Sequence, residues 1–425
     1  MIKLYRVNKN FYRKLNNILS LRRENFNIKN SIVIKIINEI KRKGDKALLK
    51  YEKKFNSNTK IKITNKEIKK SIRKLDIKVK KSIDLAYNRI LKFHQNQKYN
   101  GFKTKDKLGN KFQYKFVPIE KIGIYVPGGT ASYPSTVLMN AIPAIIAKVK
   151  KIIMVSPFIK GKLNPGVIYA AYKCKIKNIY CIGGVQSIAA LAYGTKKVEK
   201  VNKIVGPGNI YVTTAKKQVF GDVGIDMTAG PSEITVVADK QSNPAWIASD
   251  LISQAEHDKF SQSILISNSS EILKKTKYAL IKQLKFLPRK KIASFSLKNY
   301  CLFIKTNSNK EIVRIINEIA PEHLELSISN YNGLKNKITN VGSVFLGKYS
   351  TEAMGDYLAG PNHVLPTTGS AKFSSGLSVY DFLKRISYIN LSKRGIETLG
   401  PSVITLADFE NLKGHSNSVK IRINK

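Results

Sequence analysis

A chain of 425 residues, 43% of them hydrophobic, is too long for one ordinary core and too apolar to be disordered, so two or three domains are expected. Its 75 basic residues against 28 acidic ones give a formal net charge of +47. The lysines are spread along the chain, densest over residues 1–110, with no recognisable nucleic-acid module, so the charge reads as compositional bias. Cys174, Cys181 and Cys301 make an odd count without metal-ligand spacing, which argues against a disulfide framework and for a reducing compartment. The opening MIKLYRVNKN has no apolar signal-peptide core, and no run approaches the ~18 apolar residues of a membrane span. A soluble, cytoplasmic protein is expected.

Residues 1–30 are basic and weakly patterned and read as a small N-terminal arm. From Ser31, the positions of Ile32, Ile34, Ile36, Ile37 and Ile40 predict a helix that Gly44 interrupts. Residues 66–97 read as a second helical stretch through Ile72, Leu75, Val79, Ile83, Ala86, Ile90 and Leu91. His94 at its end reads as a solvated or capping residue. The texture changes near Lys121, where KIGIYVPGG predicts a strand entering a glycine turn. A Pro-started helix over 134–149, a buried strand in KKIIMVSP and a helix over about 165–174 follow. NIYCIGG then reads as strand, QSIAALAYG as helix, KIVGPGN as strand and turn, and IYVTTAKKQVF as helix. Strand and helix alternating at this spacing predict a parallel sheet with crossover helices. Ligands of such sheets sit at the carboxyl ends of the strands, where the glycine turns fall.

Asn243 is a predicted N-cap and Pro244 a first helical residue. Residues 262–305 read as another α/β pair, 309–320 as helix, 340–380 as a glycine-punctuated loop region, and 381–425 as a small separate unit.

Four of the five histidines fall in polar constellations between residues 257 and 415. In DLISQAEHDKFSQ, Gln254 and His257 lie one turn apart on or beside the face set by Ile247 and Leu251. They could share a metal, or form a satisfied polar pair beside the core; glutamine is an uncommon zinc ligand. In APEHLEL, Pro321 follows a helix, so Glu322 and His323 are expected at a helix end or turn. There they could supply two proton-transfer groups or a plain helix-terminal charge pair. Asp356 and His363 lie in a stretch broken by Gly360, Pro361 and Pro366, which could turn both toward one site or be surface turn chemistry. Glu410 and His415 form a fourth pair near the C-terminus. Each has a bland explanation, but together they point to a site. The glycine turns GPGNIY and GGVQSIAALAYG both lack the third glycine of the dinucleotide fingerprint, so spacing alone establishes no standard Rossmann site.

IDMTAGPSEITVVAD followed by SDLISQAEH resembles the signature of the histidinol dehydrogenases. APEHLEL, GDYLAGPNHVLP, the Glu410–His415 tail, IYVPGGTASYPSTVLMNAIPA, GGVQSIAALAYGT and VGPGNIYV fit the same family in the same order, from about Ser31 to the end. The resemblance implies an α/β fold of two α/β domains, whose parallel sheets resemble incomplete Rossmann folds, plus small N- and C-terminal units. Residues 1–30 would be the arm, and 31–120 with 234–380 a discontinuous domain carrying most metal and catalytic residues. Residues 121–233 would form the domain of glycine turns and NAD contacts, and 381–425 a small domain completing the partner subunit's site.

The resemblance also implies NAD-dependent oxidation of L-histidinol to L-histidine through L-histidinaldehyde by a homodimer with one zinc per subunit. It puts Gln254, His257, Asp356 and His415 at the zinc-ligand positions, and Glu322 and His323 at the proton-transfer positions. Ser232, Gln254, His257, His323, Asp356, His363, Glu410 and His415 would touch substrate. Tyr125, Gln186 and Asn209 would contact NAD. The metal would anchor the substrate's nitrogens, His323 would take the alcohol proton, and Glu322 would activate the water that hydrates the aldehyde. The alternatives are a metal-dependent hydrolase and a basic nucleic-acid binder. A cysteine-nucleophile aldehyde oxidation would need Cys301, whose apolar flanks instead mark a buried structural residue.

Overall fold

The structure, a computed structural model, describes residues 2–25, 30–97, 99–128, 133–158, 164–228 and 230–423. Its strands are β1 (Lys3–Arg6), β2 (Lys103–Lys105), β3 (Lys111–Pro118), β4 (Lys121–Tyr125), β5 (Lys151–Val155), β6 (Asn178–Tyr180) and β7 (Lys203–Val205). They continue as β8 (Gly224–Ile225), β9 (Glu233–Ala238), β10 (Gln262–Ser267), β11 (Leu302–Lys305), β12 (His323–Ser327), β13 (Ser343–Leu346) and β14 (Leu383–Asn390). The predicted alternation folds into two parallel sheets. One runs in the order β6-β5-β4-β7-β8, the other β1-β11-β10-β9-β12-β13. In each, the chain starts centrally, winds outward through two strands, then crosses to the other side of the first. That is the doubly wound order of a Rossmann sheet without its sixth strand, with β1 added at one edge. The fold class is therefore the mixed α/β architecture expected.

Both sheets are buried on both faces, as parallel sheets with crossover helices must be. Along β4, Ile122 and Ile124 enter one apolar cluster and Tyr125 the opposite one; along β5, Met154 faces the first and Ile153 and Val155 the second. In β9, Ile234 and Val236 pack on one side and Val237 on the other.

The N-terminal segment departs from the expected arm. β1 pairs in parallel with β11, from Lys3 opposite Leu302 to Arg6 opposite Lys305. The helix Phe11–Asn25 buries Phe11, Leu15 and Leu19 against the six-stranded sheet. The short segment Lys3–Arg6 could form an edge strand only with a partner about 300 residues away, which no local pattern reveals. The stretch 66–97 is two helices, Asn65–Arg73 and Ile77–His94, because Asp76 caps the second by accepting from the backbone N–H groups of Lys78 and Val79. Residues 262–305 hold two helices, Ser270–Leu284 and Lys290–Tyr300, between β10 and β11. The tail is not a unit of 381–425 alone. β14 pairs antiparallel along the whole of β3, so residues 103–118 belong to the same three-stranded sheet, beside the helices Lys393–Phe409 and Lys413–Ile423. Gly129 of the turn predicted after β4 lies outside the described residues.

His94 ends its helix as expected but is fully buried, with Nδ1 2.9 Å from Gln97 Oε1. Burial lowers its pKa, keeping the ring neutral. A histidine whose folded pKa lies below its unfolded value binds its proton preferentially in the unfolded chain. Its stability contribution is complete above the unfolded pKa of ~6.5 and is lost as pH falls through that value. Between pH 7 and pH 5 the thermal midpoint of a His94→Gln variant should therefore fall less than that of the parent, measured by circular dichroism in matched buffers. An equal or larger fall would contradict the assignment.

Candidate active site

A cavity of about 330 Å³ opens between the two sheets. Its walls come from two kinds of strand end. From the five-stranded sheet come Pro127 and Gly128 beyond β4 and Pro207 to Ile210 beyond β7, at the carboxyl ends where the strand order reverses. Gly206 makes this turn possible. Its φ is +109°, and a Cβ there would lie 2.2 Å from the Tyr125 carbonyl oxygen. From the six-stranded sheet come Ser232, just before β9, with Glu322 and His323 at the start of β12. These are amino ends of the strands, so the cavity meets the carboxyl ends of one sheet and the amino ends of the other.

Glu322 and His323 are thus on the lip of a strand, not in a helix end or turn. The helix Asn309–Ile319 stops at Ala320, which takes the left-handed conformation at φ +49°, and Pro321 prevents its continuation. The chain enters β12 directly, and β12 lies between β9 and β13. The Glu322 carbonyl accepts from Ser343 N at 2.9 Å, and Gly342 approaches so closely that a Cβ would sit 2.5 Å from that oxygen. Glu233 N–H donates to Glu322 Oε2 at 2.9 Å, and the Glu233 carbonyl lies 3.0 Å from His323 Nδ1. With Nδ1–H donating there, Nε2 is left as an acceptor, and it has no hydrogen-bond partner among the described residues. Burial pushes the Glu322 carboxyl well above the usual range, and the Glu233 and Asp356 carboxylates push the same way. Burial holds His323 neutral by lowering its pKa.

The helix Pro244–Ala255 starts as predicted, with Asn243 Oδ1 capping Ala245 and Trp246 N–H. Near its other end Gln254 is fully buried on the cavity wall, and neither Oε1 nor Nε2 has a partner among the described residues. His257 lines the same wall, and burial lowers its pKa toward the neutral, ligand-competent ring. Asp356 is carried by the short helix Glu352–Tyr357 rather than by a loop. His363 lies beside it, Nδ1 2.9 Å from the Asp356 carbonyl and 3.8 Å from its Oδ1. Both line the cavity.

The structure thus brings together Ser232, Gln254, His257, Glu322, His323, Asp356, His363 and Asn209. Other expected residues are elsewhere. Tyr125 and Gln186 are buried behind the glycine turns: Tyr125 Oη accepts from Gly184 N–H at 3.3 Å, and Gln186 Nε2 donates to Glu52 Oε1 at 2.7 Å. Glu410 and His415 are exposed on the tail and are not on the cavity wall of their own chain. Cys301 is buried, its thiol pKa raised by burial, and it takes no part in the cavity.

Sequence reasoning missed Glu352. Its side chain is buried on the cavity wall, and its carboxylate, with Asp356 and His323, offers ligand atoms all within 4.8 Å of one another. The signal was the (i, i+4) spacing of Glu352 and Asp356. The donor set fits a metal. Gln254 has two buried polar atoms unpartnered among the described residues, in the same cavity as a neutral imidazole and a carboxylate.

Comparison with known proteins gives this arrangement its context. Residues 21–423 match the family model described as histidinol dehydrogenase. A histidinol dehydrogenase of Pelagibacter ubique is 60% identical over 419 residues, covering 98% of each chain. Histidinol dehydrogenase 1 of Trichormus variabilis is 46% identical over 425 residues, covering 100% of this chain and 99% of that one. The crystal structure of histidinol dehydrogenase from Elizabethkingia anophelis superposes with a TM-score of 0.92 at 39% identity, covering 100% of this chain and 98% of that one. The chain belongs to the histidinol dehydrogenase family. It is accordingly an enzyme, an oxidoreductase. The match to the Elizabethkingia anophelis histidinol dehydrogenase structure runs over 98% of that chain, so both sheets and the tail lie within the shared fold. Among its described residues no helix is long and apolar enough to cross a membrane.

Proposed function

We propose that the protein oxidises L-histidinol to L-histidine through L-histidinaldehyde, in histidine biosynthesis, with NAD as hydride acceptor and zinc as substrate anchor. The observation that carries this reading is the Gln254 amide, unpartnered among the described residues and buried in one cavity with His257, Asp356, Glu322 and His323. Gln254, His257 and Asp356 would hold the metal. Bound there, zinc supplies a template for the imidazole and amino nitrogens of the substrate. Ser232 and His363 line the cavity near these groups and would complete the substrate contacts.

The proton work falls to the two residues at the start of β12. The neutral His323 ring, its Nδ1 engaged by Glu233, offers Nε2 to take the alcohol proton as hydride departs. The aldehyde must gain water before a second hydride can leave. Glu322 is suited to that step, because a carboxylate whose pKa is raised by burial is a stronger proton acceptor than an exposed one. Asn209, on the cavity wall at the five-stranded sheet, is the NAD contact this reading favours. Tyr125 and Gln186 would act one layer behind it by holding the Gly183–Gly184 turn.

The functional unit in this reading is a homodimer. The helix Lys393–Phe409 exposes Leu399, Val403, Leu406 and Phe409 at helical spacing, Phe409 being 85% exposed. Such a row, lying outside the buried apolar clusters that flank both sheets, calls for a partner surface. A second copy would cover it and would bring its own Glu410 and His415 to this chain's cavity.

The decisive assay is the appearance of histidine from histidinol and NAD, with and without a chelator. Turnover should be abolished by chelation and restored by zinc. Full activity in protein shown to be metal-free would refute the roles given to Gln254, His257, Asp356 and His415.

A further inference from the structure

The helix Phe11–Asn25 sends Phe11, Leu15 and Leu19 into the core, and Arg22 continues that inward face. Arg22 is only 5% exposed. Its guanidinium pairs with the buried Glu233 carboxylate. It also donates to the carbonyls of Pro231 at 3.0 Å and Phe260 at 3.3 Å, and to Gln262 Oε1 at 3.4 Å. Pro231 and Phe260 are cavity-wall residues, and Ser232 lies between Pro231 and Glu233. Glu233 Oε1 accepts from Thr368 N–H as well, at 3.0 Å. Glu233 in turn holds both proton-transfer side chains, its N–H on Glu322 Oε2 and its carbonyl on His323 Nδ1.

A buried ion pair is a weak device for stability, because desolvation offsets most of its Coulomb energy, and an apolar pair of the same volume often does as well. What a guanidinium supplies that an apolar side chain cannot is a fixed fork of donors. Here the fork ties the entry to β9 to the loop before β10, directly behind the cavity.

We propose that Arg22 and Glu233 are positioning residues for the oxidation: Arg22 fixes Glu233, and Glu233 fixes Glu322 and His323 in their working orientation. The inference rests on the assignment of those two residues as the proton-transfer groups. The N-terminal helix is then part of the catalytic support, not an appendage.

The test uses the full chain loaded with zinc and three variants: Arg22→Lys, Arg22→Met and the double variant Arg22→Met/Glu233→Gln. Arg22→Met leaves the Glu233 charge buried without a counter-charge, and should lose both stability and activity. The double variant removes that charge and should recover most of the thermal midpoint. Its kcat should nonetheless stay roughly 10–100-fold down, the scale expected of misplaced reacting groups. KM for histidinol and zinc content should stay within about twofold, because the residues proposed to bind substrate and metal are untouched. Arg22→Lys keeps the charge without the fork, so it should remain folded with a reduced kcat. A double variant, or an Arg22→Lys variant, that is folded and turns over at the parent rate would overturn the proposal. Glu322→Gln and His323→Asn serve as controls. If both are fully active, the assignment beneath fails and the clamp falls with it. If both are impaired while the double variant is fully active, the clamp alone falls.

Discussion

Replacing His323 by Asn is expected to slow both oxidations by roughly 10²–10⁴-fold, whereas Glu322→Gln should impair the aldehyde step far more than the alcohol step. Each oxidation sheds a hydride from a carbon whose oxygen must lose a proton, so a base at that oxygen serves twice. His323 is built for this: one ring nitrogen is engaged by the Glu233 carbonyl, the other is free of partners among the described residues, and burial keeps the ring unprotonated. Activation of water is needed only between the two oxidations. Glutamine at 322 keeps an oxygen able to accept the Glu233 N–H, 2.9 Å from the present carboxylate, so the local geometry survives while the base is lost. Single-turnover NADH formation, started separately from histidinol and from histidinaldehyde, resolves the two steps. Parent rates in both variants would sink the assignment, and equal losses on both substrates in Glu322→Gln would remove its special role in the second step.

The fold was legible where local pattern and partner agree. KIGIY and KIV are apolar runs beside glycine turns and KKIIMV is an apolar run ending at Ser-Pro, and they became three adjacent strands, β5-β4-β7. Asn243 and Pro244 opened a helix because cap chemistry is local. The errors share a different cause. β1, β14 and the register of β12 depend on neighbours far away in sequence, and propensity carries no information about those. The break between the helices Asn65–Arg73 and Ile77–His94 was readable, since Asp76 is an N-cap residue, but the continuing apolar period concealed it.

The site was more legible than the fold around it. Gln254, His257, Glu322, His323, Asp356 and His363 drew attention as polar residues inside otherwise apolar or glycine-broken stretches, and all six reach one cavity. Arg22 escaped notice because it lies in a segment read as an arm, although its spacing from Phe11, Leu15 and Leu19 marks an inward position. Tyr125 and Gln186 illustrate the opposite limit. A motif can identify residues of a glycine turn without distinguishing those that would face a ligand from those that brace the turn, and these two are buried.

A mixed dimer of Asp356→Asn and His415→Asn chains should regain about half the parent activity, although each variant homodimer should be inactive. His415 is exposed on the tail, away from its own chain's cavity, while Asp356 is on the cavity wall. If each cavity takes its His415 from the other subunit, the mixed dimer has two unlike sites. One combines the Asp356→Asn body with the other chain's His415→Asn tail and carries both defects. The other combines intact Asp356 with intact His415 and should bind zinc and turn over normally when the sites act independently. If His415 served its own chain, each site would retain one defect and nothing would be regained. Co-expression with two different affinity tags and sequential purification isolates the mixed species, and zinc content should rise in step with activity, to about one equivalent per dimer. An inactive mixed dimer of verified composition would mean that each site is built within a single chain. The exposed row of Leu399, Val403, Leu406 and Phe409 would then need a different explanation.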